Sequence, residues 1–203
     1  RGVEFLLASV RTDGSWPIDT NLATWNTTLA INALDADDAR TDQDQELECL
    51  DWLLDCQHVK THPFTDVPPG GWAWTDLTGG VPDVDDTSGA LLALITARKS
   101  APESRRQRIG HAARTGIYWL LDMQNRDGGW PTFCRGWGKL PFDRSACDLP
   151  AHALRAIHRW REVWQTDSTD PRLDRRVVAA TERGVAFLGR QQLENGSWLP
   201  LWI

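Results

Sequence analysis

The sequence predicts an all-α protein assembled from repeated helix pairs, and three observations carry that prediction. The first is an internal repeat: Gly2 to Trp16, Gly116 to Trp130 and Gly184 to Trp198 each span 14 positions. A repeated supersecondary unit of this kind marks a stacked array rather than one irregular globule. The second is helical periodicity before each turn, with an aromatic and a leucine side by side, as in Phe5/Leu6 and Trp119/Leu120. The third is a small, apolar segment after each turn: Thr27–Leu34, Thr87–Leu94 and Leu149–Ile157. Their alanines let neighbouring helices approach closely. Nothing in the pattern calls for strands. Each pair buries its faces only against its neighbours, so such an array must close on itself or be capped.

Seven helices follow in order, near 1–10, 23–35, 44–57, 86–98, 105–124, 148–165 and 173–192. Arg1-Gly2-Val3-Glu4-Phe5-Leu6-Leu7 leads to the turn Asp13-Gly14-Ser15-Trp16, and Thr115–Leu121 leads through Gln124 to Asp127-Gly128-Gly129-Trp130. Arg183–Gly189 leads through Gln192 to Asn195-Gly196-Ser197-Trp198. Glycine supplies the positive φ that a helix end or tight turn needs, and the tryptophan can fold back on the helix it follows. A further copy, with Trp52, Leu53 and Gln57, reaches Gly70-Gly71-Trp72 only after an insertion, since Cys49 to Trp72 is 23 positions. The repeats therefore lie near 1–35, 48–98, 114–165 and 182–203, within one domain expected to be part of a larger array.

Composition narrows the function classes. Of 203 residues 41% are hydrophobic and 25% charged, enough apolar surface for a real core. Twelve tryptophans against one tyrosine and one methionine imply positional roles, because each buried indole also needs a partner for its N–H. A net charge of −6 argues against nucleic acid as a partner. The acid-rich stretch Asp35–Asp51 and the basic stretch Arg98–Arg114 read as solvated connections between helices. Cys49, Cys56, Cys134 and Cys147 have neither a C-x-x-C pair nor zinc-type spacing, which favours reduced thiols and a cytoplasmic setting. No apolar run is long enough to span a bilayer.

The densest chemistry lies in Val81-Pro82-Asp83-Val84-Asp85-Asp86-Thr87. Pro82 prevents a helix from running through, so Asp83, Asp85 and Asp86 sit at a loop-to-helix junction with Thr87 as a further capping candidate. Taken alone, an acidic first turn that suits the helix dipole explains this segment. A second acidic helix start, Asp148-Leu149-Pro150-Ala151-His152, places Asp148 and His152 one turn apart on a single face, with Pro150 tolerable in the first turn.

The repeat resembles the QW motif of the squalene–hopene and oxidosqualene cyclase family, matched throughout by Arg183–Trp198 and from Gly116 onward by the copy before it. Val10 stands where the first copy should have Gln. Asp83-Val84-Asp85-Asp86-Thr87 resembles the acid motif of class II terpene cyclases, and Asp148 to His152 resembles the helix start whose histidine bonds the acid. The resemblance implies an α/α toroid, part of an α6/α6 barrel, with inner helices lining a cavity and outer helices carrying the repeat turns. It implies Asp85 as the general acid toward an alkene or epoxide, flanked by Asp83 and Asp86 and assisted by His152 and Asp148. Burial and the flanking carboxylates would penalise the Asp85 anion. Trp25 and Phe133 match cavity-lining aromatics, and Trp74 and Trp137 are further candidates for substrate contact.

The expected substrate is a hydrophobic isoprenoid, squalene or a related polyprenyl chain, with no cofactor and no metal. The segment Cys134–Ser145 departs from the family. It is glycine-rich, basic and aromatic, and its place before the His152 helix suggests a cavity mouth where Arg135 or Arg144 would meet an anionic substrate group. Closing the cavity would take the remaining helices of the toroid or a second subunit. The family also implies a peripheral, monotopic membrane association for the parent. Two alternatives stay open: a non-catalytic toroid scaffold for a lipid or protein partner, and a zinc prenyltransferase-like toroid. The latter needs an Asp-x-Cys pair, which Asp143, Cys147 and Asp148 do not supply.

Overall fold

The computed structural model describes residues 3–4, 7, 10, 12, 21–36, 43–137, 141–164 and 170–201. The first predicted helix, its turn at Trp16 and most of the acidic linker before residue 43 fall largely outside the described residues. Among the described residues six helices follow in order: α1 Ala23–Ala36, α2 Gln43–Asp55, α3 Val84–Ala97, α4 Glu103–Met123, α5 Asp148–Trp164 and α6 Pro171–Gln191. These are the predicted helices to within about two residues at each end.

The helices form two layers. In the inner layer α3 is flanked by α1 on one side and α5 on the other. Ala153 and Ala156 of α5 are fully buried in one cluster with Leu91 and Ile95 of α3, while Ala90 and Ala93 of α3 are buried in a second cluster with α2 and α4. In the outer layer α4 backs α3, α6 backs α5, and α2, α4 and α6 are neighbours. This is an arc of an α/α toroid.

The repeat turns show why the sequence repeats. In each of three turns the glutamine amide donates to the carbonyl of the turn glycine: Gln57 to Gly70 at 2.8 Å, Gln124 to Gly128 at 2.9 Å, Gln192 to Gly196 at 2.9 Å. In each the indole N–H donates back to the helix that precedes the turn: Trp72 to Leu53, Trp130 to Leu120 and Trp198 to Leu188, all at 2.8 Å. At Leu53 and Leu120 the helix-end carbonyls lack an intrahelical donor, so these bonds satisfy groups that burial would otherwise penalise, whereas Leu188 also accepts the Gln192 backbone amide.

The first two turns also grip the next outer helix. Gln57 Nε2 reaches the Ala112 carbonyl at 3.0 Å and Gln124 Nε2 reaches that of Ala180 at 2.9 Å. Four residues on, Gly116 and Gly184 receive the tryptophan rings. A Cβ at Gly116 would stand 3.0 Å from Trp72 Cζ3, and one at Gly184 would stand 2.9 Å from Trp130 Cζ3. The repeat glycine is thus the seat of the preceding repeat's tryptophan. Trp72 and Trp130 are 0% exposed, whereas Trp198 is 42% exposed.

Two expectations are revised. The fold is not strand-free: Trp130–Pro131 (β1) pairs antiparallel with Ser145–Ala146 (β2), and Trp72 makes an isolated bridge with Asp83. Both ladders arise because the residues before an inner helix need partners beside the Trp turn. The charged stretches are not mere connections either. Asp51 on α2 takes Arg105 at 2.8 Å and Arg108 at 3.3 Å, and Arg108 also pairs with Asp55. Acid and base face one another across α2 and α4, although half-exposed pairs of this kind contribute only about 0–1 kcal/mol each.

Candidate active site

The N-terminus of α3 is fixed by three local constraints. Asp83 is extended (φ −136°, ψ 169°) and its Oδ1 accepts the Asp86 amide at 2.8 Å, an N-cap that satisfies one orphan donor. Its own N–H donates to the Trp72 carbonyl at 3.0 Å. Thr87 Oγ1 accepts the Trp72 amide at 2.9 Å, so the acid-bearing turn is bolted to the second repeat turn. Gly71 has no room for a Cβ, which would lie 2.8 Å from the Trp119 ring and 3.0 Å from Thr87 Oγ1.

These constraints turn the three carboxylates to different environments. Asp83 is 3% and Asp86 4% exposed, whereas the Asp85 side chain is 22% exposed. The burial expected for Asp85 therefore falls on its flanks. The cap geometry explains this, since Asp83 folds back under the helix and Asp86 follows it, while Asp85 points away from α3 toward α5. Burial pushes Asp83 well above the usual carboxylate range, reinforced by the Asp86 carboxylate. Asp86 is raised to about 6 by burial, with Asp85 adding to the effect and a hydrogen bond from Asp83 opposing it. Asp83 Oδ2 and Asp86 Oδ1 are buried without a hydrogen-bond partner among the described residues.

His152 meets Asp85 across the α3–α5 contact: its Nδ1 is hydrogen-bonded to Asp85 Oδ1, bridging residues 67 positions apart. That bond raises the His152 pKa, burial works against it, and the negative charges of Asp85 and Asp148 add to the rise. Asp148 itself is exposed at the first position of α5 and acts on His152 through charge. Pro150 falls in the first turn of α5, where its missing N–H costs no helical bond.

The aromatic candidates divide. Trp74, Phe133 and Trp137 come together, with Trp74–Phe133 centroids 6.0 Å apart and Phe133–Trp137 centroids 5.7 Å apart. Phe142, which the sequence reading did not single out, completes the cluster at 5.0 Å from Phe133 and 5.2 Å from Trp137, both edge-on. Its place after Pro141, in a short 3-10 turn, was the available signal. Trp25 joins through the backbone: its N–H and that of Thr24 donate to the Trp74 carbonyl, while its side chain is 37% exposed. The aromatic residues lie just ahead of α3 and α5 or at the start of α1, hence at the same end of the inner helices as Asp85 and His152.

Arg135, expected at a cavity mouth, is engaged elsewhere. Arg135 donates to the Gln124 carbonyl at 2.5 Å and to Asn125 Oδ1 at 3.4 Å, so it caps the end of α4. Both arginines border a cleft of about 800 Å³ shared with Phe187 and Gln191 of α6. That cleft opens against the outer layer. The α4 terminus needs donors, and Arg135 supplies one.

No group of three or more His, Cys, Asp or Glu among the described residues could hold a metal ion. No described helix is long and apolar enough to cross a membrane. The four cysteines are unpaired thiols.

Known proteins resemble this chain in sequence. Enfumafungin synthase of Hormonema carpetanum is 28% identical over 220 residues, covering 99% of this chain and 16% of that protein. Squalene–hopene cyclase of Alicyclobacillus acidocaldarius is 28% identical over 208 residues, covering 93% of this chain and 30% of that protein. Sporulenol synthase of Bacillus subtilis is 28% identical over 195 residues, covering 88% of this chain and 28% of that protein. The chain thus spans less than a third of the length of these relatives. A family model described as the squalene-hopene cyclase C-terminal domain matches residues 21–203, from the start of α1 onward, and the chain belongs to that family.

Proposed function

We propose that this chain is the acid-bearing part of a protonation-initiated terpene or triterpene cyclase acting on squalene or a related polyprenyl chain. The observation that carries the reading is the hydrogen bond between His152 and Asp85, formed across two inner helices beside two buried carboxylates. Two relatives carry names that say cyclase, a squalene–hopene cyclase and a terpene cyclase fusion protein, which supports the cyclase part of this reading.

In the proposed first step the Asp85 carboxyl gives up its proton to a terminal alkene or epoxide. The π electrons (or an epoxide lone pair) form the new bond to hydrogen, the O–H bond breaks, and positive charge develops in the substrate. An imidazolium at His152 donates from both nitrogens, so Nδ1–H holds Asp85 Oδ1 as the carboxylate forms. The Asp85 carboxylate and the Asp148 charge, which raise the His152 pKa, favour that imidazolium once the proton has left Asp85. Asp83 and Asp86 set the position of Asp85 through the cap and the Trp72 bridge, and they do not touch substrate in this scheme. The faces of Trp74, Phe133 and Trp137 would stabilise cationic carbon at about 0.5–2 kcal/mol for each well-placed ring. The remaining helices of the longer protein would complete the cavity wall and exclude water.

The test is incubation of the longer parent protein with squalene, oxidosqualene and shorter polyprenes, beside its Asp85→Asn variant. Cyclised product from the parent and none from the variant is expected. Product that persists in the variant would remove Asp85 as the proton donor.

A further inference from the structure

The outer layer carries a second polar site unconnected with the acid junction. Residues 172, 175, 176, 179, 180 and 183 lie on one face of α6, and with Leu121 of α4 they line a cleft of about 410 Å³. Four of these residues are arginines, Arg172, Arg175, Arg176 and Arg183, and no carboxylate among the described residues lines the cleft. Ala179 and Ala180 leave the floor open between them.

Helix neighbours of like charge three and four positions apart repel, so this row disfavours α6 unless something answers it. Elsewhere in the outer layer the arginines are answered: Arg105 and Arg108 by Asp51, Arg114 by Asp170 at 2.7 Å. In the cleft Arg176 takes Asp122 at 2.6 Å at its edge, and Arg183 takes the neutral amide oxygen of Gln124. The Arg172 and Arg175 side chains have no hydrogen-bond or ion-pair partner among the described residues, and both are exposed. A chain of net charge −6 therefore carries a concave site with unspent positive charge.

We propose that the α4–α6 cleft is an anion site for a phosphate-bearing group, with Arg172 and Arg175 as its principal contacts. Guanidinium forks bind phosphate oxygens in pairs, and two of them one turn apart on a helix can hold adjacent oxygens of one group. The apolar strip of Leu121, Ala179 and Ala180 admits such a group without a competing acceptor. Two sources share this chemistry, a free phosphate or diphosphate and the headgroup of an anionic lipid. The site stands on the outer layer, so it serves neither the proton donor nor the aromatic cluster.

The experiment compares the full chain with Arg172→Gln/Arg175→Gln, and with Arg172→Lys/Arg175→Lys as a control that keeps charge without the fork. Circular dichroism and the melting temperature establish that the exposed substitutions leave the fold intact. One arm titrates inorganic pyrophosphate by calorimetry in low salt, where surface charge is least screened. The other measures flotation with vesicles of phosphatidylcholine alone or with phosphatidylglycerol. Saturable pyrophosphate binding that weakens about tenfold or more in the Gln variant, and less in the Lys variant, supports the site with a soluble source. Phosphatidylglycerol-dependent flotation lost in the Gln variant supports it with a lipid source. Binding in neither arm, or binding that the Gln variant leaves unchanged, overturns the proposal.

Discussion

The repeat turns and the acid junction stand at the same end of the inner helices, and they treat polar groups in opposite ways. At Trp72 and Trp130 each indole N–H, each glutamine amide and the carbonyls they reach are paired, and both rings are sealed under a glycine. At Asp83–Asp86 two carboxylates are buried with an oxygen apiece left without a partner. Yet the two regions are one piece, because Thr87 and Asp83 bond the backbone of Trp72. The difference teaches where stability is made and where it is withheld. Satisfied turns hold the scaffold rigid enough to keep an unsatisfied acid cluster in place.

That contrast can be broken first at the acid. Asp85→Asn in the longer parent protein should reduce turnover by about 10²–10⁴-fold, the range of a lost general acid, with little change in melting temperature. A comparable loss of stability would place Asp85 with the scaffold instead. The turns come next. Trp130→Ala should destabilise the chain by about 3–5 kcal/mol in denaturant titration, as expected for a fully buried indole. Trp198→Ala should cost less than about 1 kcal/mol, because that ring is 42% exposed and no described helix covers it. Equal costs would mean that the tryptophan's own hydrogen bond, and not the glycine seat, carries the turn.

The buried carboxylates give a smaller effect of defined sign. Asp83 and Asp86 are raised, so the folded chain holds their protons more tightly than the unfolded chain does. Their contribution favours folding below about pH 4 and is lost as pH rises through about 6, where Asp86 ionises. Asp86→Asn should flatten stability over that window and raise it at pH 7–8 by on the order of 1–3 kcal/mol. A wild-type profile without this fall would contradict the burial argument. The smallest effect is spectroscopic. NMR titration of His152 should give a pKa above its ordinary 6.5, returning toward that value in Asp85→Asn. An unchanged midpoint would dissolve the pair.

The fold was largely legible because its signals are local and repeated. Helical spacing placed α2 and α6 within two residues, and the Gly-to-Trp interval marked the turns after α4 and α6. The strong cap of Asp83 was readable, and it moved the start of α3 two residues earlier than expected. The acid motif and Asp148–His152 were legible as two separate helix starts. Their meeting was not legible from spacing, because residues 67 apart in the chain come together only through the α3–α5 contact. Arg135 misled for a related reason, since its composition said cation while its neighbour was the open end of α4. The charged stretches misled likewise, because a run of one sign does not show that the opposite run faces it.

By itself the sequence determined the helix pairs, the turn chemistry and the identity of the three carboxylates, since caps, glycines and periodicity act over a few residues. Only the tertiary structure decided which carboxylate is open and which are buried. It also decided that glycine in one repeat seats the tryptophan of the one before, and it supplied the contact between His152 and Asp85 that the resemblance implies. Those outcomes depend on packing between helices distant in the chain, where burial and pairing are properties of the assembled layers and not of any segment.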